Sequence, residues 1–292
     1  MGAPAPSPTA SPAPTPSPTP TPDTVYETAF DLSRDRGFPL NMAELTAVAT
    51  SRVAGLSYGG ISSRIVNPGD APALAYVSAT QEASVSFSTG GPRRYAGSDI
   101  SLRASDRLVY TTSDGFLSIG QPGPDLGGFP AALRYTLLTV QSVSVDNADF
   151  TRTSIERRAV AGTSTRAADV PRSGSASYRV LFAAVAQTAV ATNSYVAQDA
   201  TLTIDFATRT VQGTIIAASA RSTPPASAVT LTIAGQLSAT SNRISGSVTG
   251  SDGSTGSISG ELFGPAGIEL GLALASQGSG EQVAGTISGV KR

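Results

Sequence analysis

Few residues in this chain can do chemistry. His and Cys are absent from all 292 positions, which removes Ser-His-Asp, Cys-His and His–metal constellations. Carboxylates, guanidiniums and tyrosines remain. Glu261 and Glu269 flank a Gly264-Pro265-Ala266-Gly267 turn, so a hairpin there sets two carboxylates across from each other. Paired carboxylates can share acid–base work. A glutamate beside a tight turn can instead accept backbone hydrogen bonds, and that is the expectation here. The stretch Thr89-Gly-Gly-Pro-Arg93-Arg94-Tyr95 puts two guanidiniums beside an aromatic on a Gly-Pro loop. Arg93, Arg94 and Tyr95 are therefore the candidate ligand-binding residues, able to grip carboxylates or stack on a ring; the alternative is a solvated loop tip. Asp31, Arg34, Asp35 and Arg36 read as surface ion pairs. Asp114-Gly115 and Asp252-Gly253 are hairpin signals without the Asp-x-Asp-x-Asp spacing of a calcium loop. Haem capture would need axial ligands from the eight Tyr, Met42 or Lys291. No catalytic residue, metal or cofactor is expected.

The elements that must carry these residues read as strands. From Gly256 to Lys291 every second residue is apolar or glycine, and a period of two places successive side chains on opposite faces of a sheet. Ile258, Gly260 and Leu262 share one face; Ile268, Leu270, Leu272 and Leu274 share another. Leu202, Ile204 and Phe206 alternate in the same way, answered by Val211, Gly213 and Ile215. The runs at 229–233 and 244–248 continue the pattern, and Val180–Ala186 reads as a buried strand. About eight strands with short connections suit a closed antiparallel barrel, with an eight-stranded sandwich as the alternative. Upstream, 25–30 resembles a first strand, 30–38 looks irregular, and 42–54 fits a short helix or a strand. Short β-favouring runs follow from Leu74 to Val160, broken by turn clusters.

The chain is thus expected to be all-β. Residues 1–23 form a Pro/Ser/Thr-rich disordered stalk, 24–160 an N-terminal β-rich handle domain, and 161–292 a C-terminal eight-stranded β-barrel. The stalk composition favours extended polyproline II. Met1-Gly2 reads as a start placed on a truncated chain. Charged residues are 14% of the total and the net charge is −1, so there is no basic excess of the kind that nucleic acid requires. No apolar run is long enough for a spanning helix.

Two stretches resemble a known family. Asp169-Val-Pro-Arg172, with Gly174 and Tyr178, is similar to the entry segment of the C-terminal barrel in transferrin-binding-protein-like surface lipoproteins. Gly260-Glu-Leu-Phe263-Gly264 and Glu269-Leu-Gly271 resemble that family's barrel signature, although Leu270-Gly271-Leu272 stands where the family usually has Gly-Gly and an aromatic. The resemblance implies a lipid-anchored protein at the outer membrane or cell surface of a Gram-negative bacterium. It also implies a non-enzymatic role: capture of a nutrient or of a host or partner protein, beside a TonB-dependent outer-membrane transporter. It assigns no binding residue. Two alternatives stand beside it: a structural or adhesive subunit assembling through strand edges, and a haem-binding, hemophore-like protein.

Overall fold

The computed structural model describes residues 26–49, 57–66, 72–86, 92–123, 129, 131–148, 151–219, 228–278 and 280–292. The expected stalk lies outside them. In chain order the strands are β1 (Arg36–Pro39), β2 (Asn41–Ala49), β3 (Tyr58–Ile65), β4 (Ala73–Val77), β5 (Glu82–Ser86), β6 (Arg93–Tyr95), β7 (Ile100–Arg103), β8 (Arg107–Thr112), β9 (Gly115–Gly120), β10 (Thr136–Asp146) and β11 (Arg152–Gly162). They continue with β12 (Ser175–Gln187), β13 (Thr192–Asp205), β14 (Thr210–Ser219), β15 (Val229–Leu237), β16 (Arg243–Gly250), β17 (Thr255–Phe263), β18 (Glu269–Gly278) and β19 (Glu281–Lys291). Residues 26–30 are not a strand, and only short 3-10 turns interrupt the β structure among the described residues.

The first eleven strands make two antiparallel sheets, one in the order β1-β4-β5-β6 and one in the order β3-β2-β11-β10-β9-β8-β7. Met42, Leu74, Tyr76, Val85, Tyr95, Tyr110, Leu117 and Leu137 fill the space between them. Pro39 ends β1 at a sheet edge, where its missing N–H costs no ladder bond. The ambiguous stretch at 42–54 resolves as β2 up to Ala49; residues 50–54 lie outside the described set. Its alternation is masked because both faces are covered. Met42 packs into the core between the sheets, while Ala43 and Leu45 pack on the barrel.

Strands β12 to β19 close on themselves, β12 pairing antiparallel with β19. This is the cylinder rather than the sandwich. Ile258 and Leu262 on β17 point to the same interior as Leu270, Leu272 and Leu274 on β18. Ile268 lies in the turn and is exposed. The interior is packed with side chains, among them Tyr178, Phe182, Leu202, Ile204, Ile215 and Ile287. Each such fully buried aliphatic contributes roughly 1.5–3 kcal/mol. A one-residue bulge bends β13, where Asp199 takes a left-handed conformation (φ 62°) beside Arg179.

Candidate functional site

The signature residues turn outward from the barrel and join it to the sheets. Glu269 opens β18 and is buried. It accepts from the backbone N–H groups of Arg134 (2.7 Å) and Tyr135 (3.0 Å) and from the Thr136 hydroxyl (2.8 Å). Glu261, two strand positions from direct pairing with it, accepts from Asn41 (3.1 Å), Ser164 (3.1 Å) and Asn242 (3.0 Å). Burial pushes both carboxyls above the ordinary range, against the pull of these donors. The two glutamates therefore act as clasps, each saturated by hydrogen-bond donors and neither facing a substrate-sized space. Phe263 is fully buried under the segment that bridges to Ser164. Gly264 sits at φ 70° with the Tyr135 ring against its Cα. Gly271 lets Val160 approach, since a Cβ there would lie 3.0 Å from that of Val160. Gly260 faces inward, where a Cβ would press on Leu272. Small residues continue this flat outer face, with Ala273, Ala275 and Ala284 meeting Ala43, Leu45, Ile61 and Ile65.

Arg93, Arg94 and Tyr95 form the edge strand β6, not a loop tip. Tyr95 is wholly buried, and its hydroxyl accepts from Arg93 Nε (3.0 Å) and Gln141 Nε2 (2.9 Å). The Arg93 guanidinium also pairs with Asp114 at 2.6 Å. Arg157 extends this polar line, donating to Gln141 (2.9 Å) and to Glu44 (2.7 Å), which in turn pairs with Arg64. Arg94 alone projects, its side chain 71% exposed and paired with Glu82 at 3.0 Å. Near the N-terminus, Arg34 and Arg36 pair with Asp31 and Glu27, whereas Asp35 accepts from Ser78.

The barrel interior offers little room. At the mouth where β13 begins and β18 and β19 join, Phe182, Leu231, Tyr195, Asp252 and Glu281 enclose about 30 Å³, enough for a water or two. Tyr195 donates to Glu281 at 3.3 Å, and burial together with that carboxylate raises its pKa. The residue types able to ligate haem iron are scattered: Met42 is 1% exposed between the two sheets, and Lys291 lies over the Phe206 ring at the other end of the barrel.

A larger space opens where the seven-stranded sheet diverges from the barrel. Phe116, Ser118, Leu138 and Val140 form its floor, Ala183 and Thr286 its barrel wall, and Asp106, Arg107 and Arg158 its rim, around about 250 Å³. Register explains the grouping. Ser118, Val140 and Arg158 lie side by side across β9, β10 and β11, with Gly120, Leu138 and Val160 in the neighbouring row. Arg158 pairs with Glu156 at 2.9 Å, and its buried Nε has no partner. Burial raises the Glu156 pKa. No described residue bonds or pairs with the Arg107 guanidinium. An apolar floor with guanidiniums on its rim suits an apolar side chain next to a carboxylate. The sequence carried one signal for this cleft: Leu138 and Val140 are apolar on the face of β10 opposite the one that buries Leu137 and Val143.

A family profile described as the C-lobe and N-lobe beta barrels of Tf-binding protein B matches residues 170–291. A search of the curated proteins finds no match. Among solved structures, the haemoglobin receptor HpuA from Kingella denitrificans is 15% identical, with 92% of this chain and 90% of that one covered and a TM-score of 0.40. Transferrin binding protein B (TbpB) from serogroup B Neisseria meningitidis is 12% identical over 89% and 77%, with a TM-score of 0.37. A TbpB variant from Actinobacillus pleuropneumoniae H49 is 12% identical over 86% and 100%, with a TM-score of 0.44. The profile match spans all eight barrel strands and the outward glutamates that clasp the sheets, and over residues 170–291, less than half of the chain, the protein is similar to the beta barrels of Tf-binding protein B.

Proposed function

We propose that this chain is a non-enzymatic receptor-type surface protein that captures a protein ligand on its outside. The observation that supports this is the contrast in room: about 30 Å³ at the mouth of the packed barrel against about 250 Å³ in the cleft outside it. A ligand held there is gripped by a surface, so a protein side chain fits better than an enclosed nutrient. In this reading residues 24–160 are the handle and 161–292 the barrel, and the cleft between them is the grip. A lipid anchor upstream of the Pro-rich stalk, a place on the outer surface of a Gram-negative cell and a TonB-dependent transporter as partner complete the reading. Solved proteins with similar folds carry transferrin, lactoferrin and haemoglobin in their names, and these are the first ligands to try. Interferometry of the immobilised chain against each, with a separate absorbance titration with haem, tests the reading. Saturable binding of one protein supports it, and a haem spectral change with no protein binding replaces it with the hemophore reading.

A second reading, assembly through strand edges, rests on β7. This edge strand of the seven-stranded sheet carries Leu102 at 46% exposure. Light scattering separates the two: a concentration-dependent ladder favours assembly, a monomer favours capture.

A further inference from the structure

Among the described residues, the two ends of the barrel carry opposite charge. At the end where β12 begins and β19 finishes lie Arg166, Arg172, Arg209, Arg243, Lys291 and Arg292. These are six of the chain's 20 cationic side chains. Arg172 and Arg209 converge on a basin of about 430 Å³ that is otherwise lined by small residues such as Ala168, Ala239 and Ser241. Arg166, Arg172, Arg243, Lys291 and Arg292 are exposed. The exposed carboxylates nearby are engaged locally: Asp169 accepts from Tyr26, and Asp205 accepts from the backbone of its own turn. At the opposite mouth sit Asp252 and Glu281, with no cationic side chain among the described residues.

The N-terminal segment joins the fold at the basic end. Tyr26 donates to Asp169 at 2.6 Å and accepts from the Arg166 N–H at 3.0 Å; the Arg166 guanidinium lies 5.9 Å from the Tyr26 ring centroid. Tyr26, the first described residue, therefore sits on this rim.

We propose that the basic rim is the face the protein lays on an anionic, phosphate-bearing lipid surface, with the cleft and the acidic mouth left free for capture. Clustered guanidiniums are drawn to such a surface over about one Debye length. The proposal takes from the capture reading only the idea of a tethered surface protein.

Cosedimentation with vesicles of phosphatidylcholine containing 30% phosphatidylglycerol tests it. The expected result is binding at low salt, loss at about 0.5 M salt and none to pure phosphatidylcholine. Each rim charge removed should weaken binding about fivefold, so Arg172→Gln/Arg243→Gln/Arg292→Gln should lose about 100-fold, and the matching Arg→Lys triple should retain it. Loss of equal size from Arg94→Gln/Arg103→Gln/Arg152→Gln, which lie on the sheets, would reduce the effect to bulk charge and overturn the proposal. So would absence of binding, or displacement by millimolar inorganic phosphate at constant ionic strength. Tighter rim-dependent binding to duplex DNA would also overturn it. Capture of a protein ligand is measured separately on the same triple, so failure of one reading leaves the other standing.

Discussion

Glu269 takes the backbone N–H of Arg134 at 2.7 Å, across 135 residues of sequence. One carboxylate on the barrel wall thus fixes the start of β10, and with Tyr135 and Thr136 it satisfies three donors. Removing it strands buried donors, which cost about 1–3 kcal/mol each when left unpaired. Glu269→Ala is expected to destabilise by roughly 3–5 kcal/mol. The check is thermal unfolding together with hydrogen exchange, in which the Arg134 and Tyr135 amides should lose protection first. Unchanged protection at those two amides would refute the clasp.

Gly264 and Gly253 give a paired test. Both have positive φ, 70° and 84°, but only Gly264 has an aromatic ring against it; around Gly253 nothing lies within 4 Å. Alanine at Gly253 incurs backbone strain alone, about 1–2 kcal/mol. Alanine at Gly264 adds a collision with Tyr135, and overpacking costs about 1–3 kcal/mol more. The Tm drop of Gly264→Ala should therefore exceed that of Gly253→Ala; equal drops would mean that Tyr135 moves aside freely.

The period of two between Gly256 and Lys291 revealed the barrel strands because apolar residues and glycines alternate on the inward face of each while mostly small or polar residues take the other. Closure was not legible locally, since β12 meets β19 about 100 residues later through a pairing that no short-range pattern specifies. The candidate site was less legible. The adjacency of Arg93, Arg94 and Tyr95 was visible in the sequence, but not that β6 would put the Tyr95 hydroxyl against Gln141 in the core. The cleft residues Phe116, Val140 and Arg158 come from three strands, and only the register of β9, β10 and β11 brings them together. The outward reach of Glu261 to Asn41, 220 residues away, was likewise beyond any motif.

The cleft and the exposed Arg94 make different demands on capture. If the cleft is the grip, Val140→Arg and Arg107→Glu fill or reverse it and should weaken ligand binding at least tenfold, since a buried interface position that gains a charge costs several kcal/mol. Their effect on stability should stay within about 1 kcal/mol, because both side chains are only part-buried. Arg94→Glu changes a side chain that is 71% exposed and far from the floor of the cleft in register. Binding that survives the cleft variants and fails with Arg94→Glu would move the grip to β6.

The absence of His clears the window between pH 5 and 8. Glu27, Asp31, Asp35, Asp114, Asp205 and Asp252 are held below their ordinary values, Glu27, Asp31 and Asp114 chiefly by hydrogen bonds from side chains. Their contribution is complete above the unfolded values and is lost only as pH falls through the folded ones. Glu156, Glu261 and Glu269 run the other way, because burial raises each above the ordinary value of 4.5. The folded state then binds their protons more tightly than the unfolded chain, so this stabilisation is full below pH 4.5 and is lost as pH rises through each folded value. Stability should therefore fall as pH rises above 4.5 through the raised folded values of these three carboxyls. Glu156→Gln cannot titrate, so the slope of unfolding free energy against pH should be shallower in this variant even if the lost pairing with Arg158 lowers its absolute stability. Chemical denaturation at pH 5, 6, 7 and 8 reads that slope directly. A parent whose stability is flat or rising across the range would mean that water reaches these three carboxyls as freely in the folded protein as in the unfolded chain.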